Sequence, residues 1–169
     1  MADAPGSGAA VFLQPGELLT SETPVSVKTV LGSCVAVTMW SPRLGVGAIS
    51  HCLLPSAGAP LAALAEEEAL RYVDATIELM LLDFAARGAT PAELEVKFFG
   101  GAGRVGADGY RVGHRNIECV REVLARHGIR AAASATGGRH GRVIQFDTGT
   151  GLVLVKRLPP APHRTGGQP

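Results

Sequence analysis

Short runs of alternating apolar and polar positions occupy both ends of this chain, and a long stripe with helical spacing lies between them. Val25, Val27 and Thr29 alternate in strand fashion, and residues 35–40 and 46–54 are β-branched, apolar runs joined by the turn Trp40-Ser-Pro-Arg-Leu-Gly45. Period-two patterning predicts strands, and so short a connection predicts that the last two pair antiparallel. Residues 11–18 are apolar up to Pro15-Gly16 and read as one edge strand. Residues 55–60 are loop by composition. From about 61 to 87, Leu70, Val73, Ile77, Leu81 and Phe84 recur every three or four positions. This predicts one continuous helix with Glu66, Glu67 and Glu68 near its start, the polarity a helix dipole prefers. Thr90-Pro-Ala-Glu93 is a capping signature ahead of a strand at 94–99, and the glycine-rich run 100–109 reads as a loop. Asn116 is expected to cap a second helix with Ile117, Val120 and Leu124 on one face and Gly128 as its stop. Residues 129–134 read as a strand, and 142–147 with 152–157 as a hairpin through Thr148-Gly-Thr-Gly151.

Interleaved helical and strand patterns within 169 residues predict one α/β (α+β) domain of ordinary size. Residues 11–157 would form this domain, with flexible tails at 1–10 and 158–169. No internal repeat interrupts the pattern. Glycine is abundant, at 22 residues, so tight turns and closely packed backbone are expected.

Charge and cysteine usage narrow the function classes. Lys and Arg total 16 against 15 Asp and Glu, without a densely cationic stretch, which argues against nucleic acid as a partner. Three cysteines (Cys34, Cys52 and Cys119) without CxxC spacing support neither a disulfide framework nor a structural zinc site. The first residues lack the basic start and apolar run of a signal peptide, and no apolar stretch is long enough to cross a bilayer. A cytoplasmic location, where a free thiol persists, is the expectation.

The candidate chemistry lies in Thr29-Val-Leu-Gly-Ser-Cys34 and Gly47-Ala-Ile-Ser-His51-Cys52. Gly32 and Ser33 put little bulk over the backbone N–H groups before Cys34, at the start of a strand. Antiparallel pairing of this strand with the next would bring Cys34 and His51 side by side, as a Cys–His nucleophile requires. Buried cysteines and lone strand histidines are more often packing residues than reactive ones. Cys52 belongs to that class, because adjacent strand residues point to opposite faces and it cannot share the face of His51. Cys119, within a helix, also reads as packing. The run Gly101-Ala-Gly103-Arg-Val-Gly106 matches GxGxxG, but turn and extended chain are expected after it rather than the helix a dinucleotide site needs. On residues alone the pair suits a cysteine hydrolase or transferase and leaves the substrate open.

Leu-Gly-Ser-Cys34-Val-Ala-Val, the His51 segment with Pro55, Lys97-Phe-Phe-Gly-Gly-Ala102, Gly113-His-Arg-Asn116 and Gly137-Gly-Arg-His-Gly-Arg142 with Asp147-Thr-Gly-Thr-Gly151 resemble, in that order, the CheD family of chemoreceptor glutamine deamidases. The resemblance runs from about residue 14 to 156, and it implies an α/β (α+β) sandwich of mixed, largely antiparallel sheets flanked by about two to three helices. It implies hydrolytic deamidation of receptor glutamines through a Cys34 thioester, with His51 managing protons and Thr29 orienting the imidazole. It also implies an oxyanion site near Gly32 and Ser33, and surroundings lined by Phe99, Gly100 and Gly101. No metal and no organic cofactor is implied. The implied partners are methyl-accepting chemotaxis receptors and a CheC-type phosphatase, without membrane insertion. The family's Cys–His arrangement is similar to that of the cytotoxic necrotising factor toxins. A CheD-like adaptor that binds without catalysis, and amine transfer in place of hydrolysis, are the competing readings.

Overall fold

Burial along the strands follows the alternation of the sequence and shows which strands are central. The computed structural model describes residues 10–103 and 108–160. Most of the expected tails (1–9 and 161–169) and residues 104–107 of the glycine run lie outside the described residues. In β3 (Ser26–Leu31) Val27, Thr29 and Leu31 are buried while Lys28 and Val30 are exposed, so one face meets solvent. In β4 (Val35–Ser41) and β5 (Val46–Ser50) nearly every residue is buried, the mark of strands covered on both faces.

Two sheets account for these patterns. One has the order β1 (Val11–Phe12), β3, β8 (Arg142–Asp147), β9 (Val153–Arg157); the other has β2 (Leu18–Ser21), β5, β4, β6 (Glu95–Gly100), β7 (Ala133–Thr136). Pairing is antiparallel except for β1 with β3 and β6 with β7. Three α-helices are described: α1 (Glu66–Ala69), α2 (Val73–Ala86) and α3 (Asp108–Arg126). Val35, Val37 and Met39 of β4 join Ile77 and Phe84 of α2 and Val120 of α3 in the main core. On the opposite side, Val27, Ile49 and Phe146, and then Leu31, Ala36, Phe99 and Ile144, close the space between the sheets. Helices therefore cover the five-stranded sheet, and the four-stranded sheet covers its other face. This mixed-sheet α+β arrangement is the expected fold class. No described helix is long and apolar enough to cross a membrane.

Five sequence expectations are corrected. The strand expected over 46–54 ends at Ser50 (β5), because beyond it pairing with the neighbouring strand continues only as the single bridge between Cys52 and Val35, so His51 lies just past the strand. The expected single edge strand at 11–18 is two strands in different sheets, because Gly16, at φ 81°, redirects the chain between them. The expected helix over 61–87 is a 3-10 turn (Leu61–Ala63), then α1, then α2. It breaks where Tyr72 is extended, at φ −107° and ψ 135°. That break frees the Arg71 carbonyl to accept from the N–H groups of Leu53 and Leu54, at 2.9 and 3.0 Å. The second helix starts at Asp108, not at an Asn116 cap, so residues 108–113 are helical rather than loop or extended chain. The strand expected at 129–134 lies at Ala133–Thr136, since the Ile129 N–H is used to close α3 on the Leu124 carbonyl.

Candidate active site

Residues 32–34 connect the two sheets, carrying the chain from β3 to β4. Their backbone groups are divided in a consistent way. The Gly32 carbonyl accepts from Ala102 N–H at 2.9 Å and the Cys34 carbonyl from Gly101 N–H at 2.8 Å. The Ser33 carbonyl accepts from Asn116 Nδ2 at 3.0 Å. Among the described residues no hydrogen bond to another residue uses the N–H of Gly32, Ser33 or Cys34, that of Cys34 acting only on its own thiol. The turn is thus anchored by its acceptors and presents its donors. An added Cβ at Gly32 would meet open space, so glycine serves here to leave that surface uncovered.

Register places the histidine. Val35 pairs with Cys52 and Thr38 with Ile49, which sets His51 opposite Ala36. Cys34 lies two positions before Ala36, on the same side of the sheet, and packs against the cluster of Leu31, Ala36, Phe99 and Ile144. Among the described residues no hydrogen bond joins the Cys34 thiol to the imidazole, a contact that such pairs often tighten only with substrate bound. Cys52 falls on the helix side, in the main core, as the alternation predicts.

Across the gap between the sheets, Thr29 Oγ1 lies 2.8 Å from His51 Nδ1 and 2.8 Å from the Leu13 carbonyl. A hydroxyl has one proton, and a carbonyl can only accept. Thr29 therefore donates to Leu13 and accepts from His51, which places the imidazole proton on Nδ1 and leaves Nε2 with a free lone pair. His51 is 2% exposed, and burial pushes its pKa down from 6.5 to about 4 against the opposing pull of the Glu17 carboxylate. Glu17 is held close by backbone pairing, His51 N–H to the Glu17 carbonyl at 3.0 Å. Burial also pushes the Cys34 thiol up, with its own backbone N–H acting in the other direction. Both shifts favour a neutral thiol beside a neutral imidazole over a resting thiolate–imidazolium pair.

The floor beneath the turn is the glycine segment after β6. Gly100 at φ 105° and Gly101 at φ 67° adopt the left-handed region, and a Cβ on Gly100 would run into the Cys34 carbonyl. Phe99, Gly100 and Gly101 thus adjoin Cys34. The GxGxxG run begins here, and the reason given for discounting it is overturned: β6, α3 and the parallel β7 do form a strand–helix–strand unit. What argues against a phosphate cradle is the use of its amides. Those of Gly101 and Ala102 bind the carbonyls of residues 34 and 32, and that of Gly103 binds the Gly138 carbonyl at 2.9 Å.

Asn116 is the site residue whose role the sequence reading missed. Instead of capping α3 it is buried within it, and Nδ2 donates to both the Ser33 and Leu53 carbonyls, each at 3.0 Å. One side chain thereby ties the cysteine turn to the segment following His51. Its Oδ1 is buried without a partner among the described residues. The available signal was spacing: Asn116, Val120 and Val123 share one helix face, and a polar residue on an apolar face calls for a buried partner. Among the described residues no cluster of three or more His, Cys, Asp or Glu is arranged to hold a metal.

A family model described as CheD chemotactic sensory transduction matches residues 53–157. A Geobacter sulfurreducens protein named "Probable chemoreceptor glutamine deamidase CheD 2" is 45% identical over 150 residues, covering 88% of this chain and 89% of its own. The Thermotoga maritima protein named "Chemoreceptor glutamine deamidase CheD" is 33% identical over 144 residues, covering 85% of this chain and 88% of its own. One from Maridesulfovibrio salexigens, named "Probable chemoreceptor glutamine deamidase CheD", is 38% identical, with 88% of this chain and 91% of its own covered. Among solved structures, the Bacillus licheniformis hypothetical protein YfiH aligns with a TM-score of 0.43 and 16% identity, over 70% of this chain and 49% of that one.

Proposed function

We propose that this chain, which belongs to the CheD family, converts glutamine side chains of chemoreceptors to glutamate with release of ammonia. The observation that carries the chemistry is the hydrogen-bond chain from His51 Nδ1 through the Thr29 hydroxyl to the Leu13 carbonyl. It leaves Nε2 basic on the sheet face that also carries Cys34. Nε2 takes the Cys34 proton as sulfur forms a bond to the carboxamide carbon. The resulting oxyanion accepts from the unengaged N–H groups of the turn, that of Cys34 foremost. Collapse breaks the C–N bond, and the imidazolium proton leaves with the nitrogen as ammonia. Water then attacks the thioester, giving its proton to Nε2, and the C–S bond breaks to return the thiol and the glutamate. The reaction as written needs water and no cofactor.

Thr29 acts as a positioning group: its hydroxyl orients the imidazole without adding negative charge, so the base stays milder than one backed by a carboxylate. The substrate reading has a geometric corollary. Receptor signalling domains are long helices, so the turn must meet a side chain on a cylinder rather than an extended peptide. A CheC-type phosphatase as a second partner and a cytoplasmic location follow from the same family reading.

The test is peptide mapping by mass spectrometry of a receptor cytoplasmic fragment incubated with the protein, beside Cys34→Ala and His51→Ala. Conversion of particular glutamines, lost in both variants, is the expected result. Receptor binding without conversion would overturn the enzyme reading in favour of an adaptor, and incorporation of an added primary amine in place of water would mark a transferase.

A further inference from the structure

Beside the cysteine turn the surface opens into a cavity of about 360 Å³. Its near wall is Gly32 and Ser33, whose N–H groups are unengaged among the described residues. Its far wall is built from Arg139, Gly141, Leu158 and Pro159. That wall is braced from behind. Buried Arg142 donates to the Gly137 and His140 carbonyls at 2.9 and 3.3 Å. His140 Nδ1 lies 2.9 Å from the Leu158 carbonyl, and Leu158 N–H donates to the Gly141 carbonyl at 2.8 Å. The loop carrying Arg139 is thus held at both ends, while the Arg139 side chain is exposed and forms no ion pair or hydrogen bond among the described residues. Among the described residues no acidic side chain lines the cavity; behind it, burial and then the nearby charge of Arg157 push the Arg142 pKa down. The result is an electropositive recess with apolar flanks, fixed in shape before any ligand arrives.

We propose that this cavity is a subsite for an acidic side chain of the receptor helix, one turn away from the glutamine presented to Cys34. The assignment rests on the deamidase reading, because it is the helical substrate that sets the spacing. On a helix, side chains three or four positions apart lie about 5–6 Å from each other. A glutamine delivered to the cysteine turn therefore brings such a neighbour over the recess next to it. A carboxylate there meets the Arg139 guanidinium, while its methylenes lie along Leu158 and Pro159. The positive charge of Arg139 rejects a lysine in the same place.

Two measurements test this: steady-state deamidation by the wild type and R139E, and binding of the same receptor fragment by C34A and C34A/R139E at low and high salt. The fragments carry alanine or lysine at each acidic residue one turn from a converted glutamine. R139E should raise KM and Kd by about fivefold at low salt, with the deficit shrinking at high salt and partly reversed by the lysine fragment. KM and Kd indifferent to both Arg139 and the neighbouring acid overturn the subsite and leave the deamidase reading standing. Arg139-dependent binding without conversion by the wild type overturns the deamidase and keeps the subsite. Failure of the wild type both to bind and to convert removes both.

Discussion

Cys34 and Cys52 lie close together at the ends of neighbouring strands and differ in nearly every property that matters to a thiol. Cys52 pairs with Val35, the residue next to Cys34, yet its side chain enters the helix-covered core and is fully buried. Its thiol donates to Ser50 Oγ at 3.7 Å, and burial pushes its pKa up to about 11. Cys34 is half-buried, precedes the strand instead of lying within it, and shares the inter-sheet side with His51. The lesson is that proximity to a histidine in sequence does not decide a cysteine's role. Cys52 is covalently adjacent to His51 and on the wrong face, whereas Cys34 is seventeen positions away and on the right one.

The sharpest way to break this contrast is to remove each sulfur in turn. Cys34→Ala should lower kcat/KM by about a thousandfold or more. Cys52→Ala should leave kcat/KM within about twofold and lower stability by about 1 kcal/mol through a small cavity, read by thermal melting. Comparable activity losses in the two variants would dissolve the distinction. Thr29→Val comes next, since it strips the acceptor from the Nδ1 proton and lets the imidazole turn or change tautomer. A loss of about a hundredfold in kcat is expected, with a displaced acid limb of the pH profile, while Thr29→Ser should restore both. Asn116→Ala separates the two carbonyls that hold the cysteine turn to the His51 segment. About a tenfold loss of kcat/KM is expected, with about 2 kcal/mol of stability lost from two buried hydrogen bonds. Asn116→Asp should be worse, because a carboxylate would face those carbonyls.

The smallest effect concerns pH. His51 titrates at about 4 in the folded chain against 6.5 when solvated. In the proposed role of base it stays unprotonated well into mild acid, and kcat/KM should hold down to roughly pH 5 instead of falling near 6.5. The unfolded chain binds the extra proton between those two values. The stability due to neutral His51 is thus complete above pH 6.5 and is lost as pH falls towards 4. An acid limb near 6.5 would show that solvent or substrate reaches the ring more freely than the closed packing allows.

Local patterning accounts for much of this molecule. Strand alternation placed Val25, Val27 and Thr29 on one face, of which Val27 and Thr29 are buried; the turn before Val35 was legible from its small residues, and the assignment of Cys52 to the opposite side from His51 followed from parity alone. Contacts between elements were less accessible. The stripe from Leu70 to Phe84 continues without a helix breaker, so its periodicity does not reveal the extended Tyr72. That break is imposed from outside, by Leu53 and Leu54 N–H groups that need the Arg71 carbonyl. A literal GxGxxG does not disclose that its amides face inward towards the carbonyls of the cysteine turn.

Patterning along the chain thus settles which side each strand residue takes, because that depends on neighbours one or two positions away. It does not set the distance between faces. That Thr29 meets His51 from another sheet, that the shared proton resides on Nδ1, and that Asn116 reaches two loops at once are consequences of how layers stack. Stacking is decided by shape complementarity among residues distant in sequence, and a buried hydrogen bond acquires its direction only when every competing partner around it has been placed.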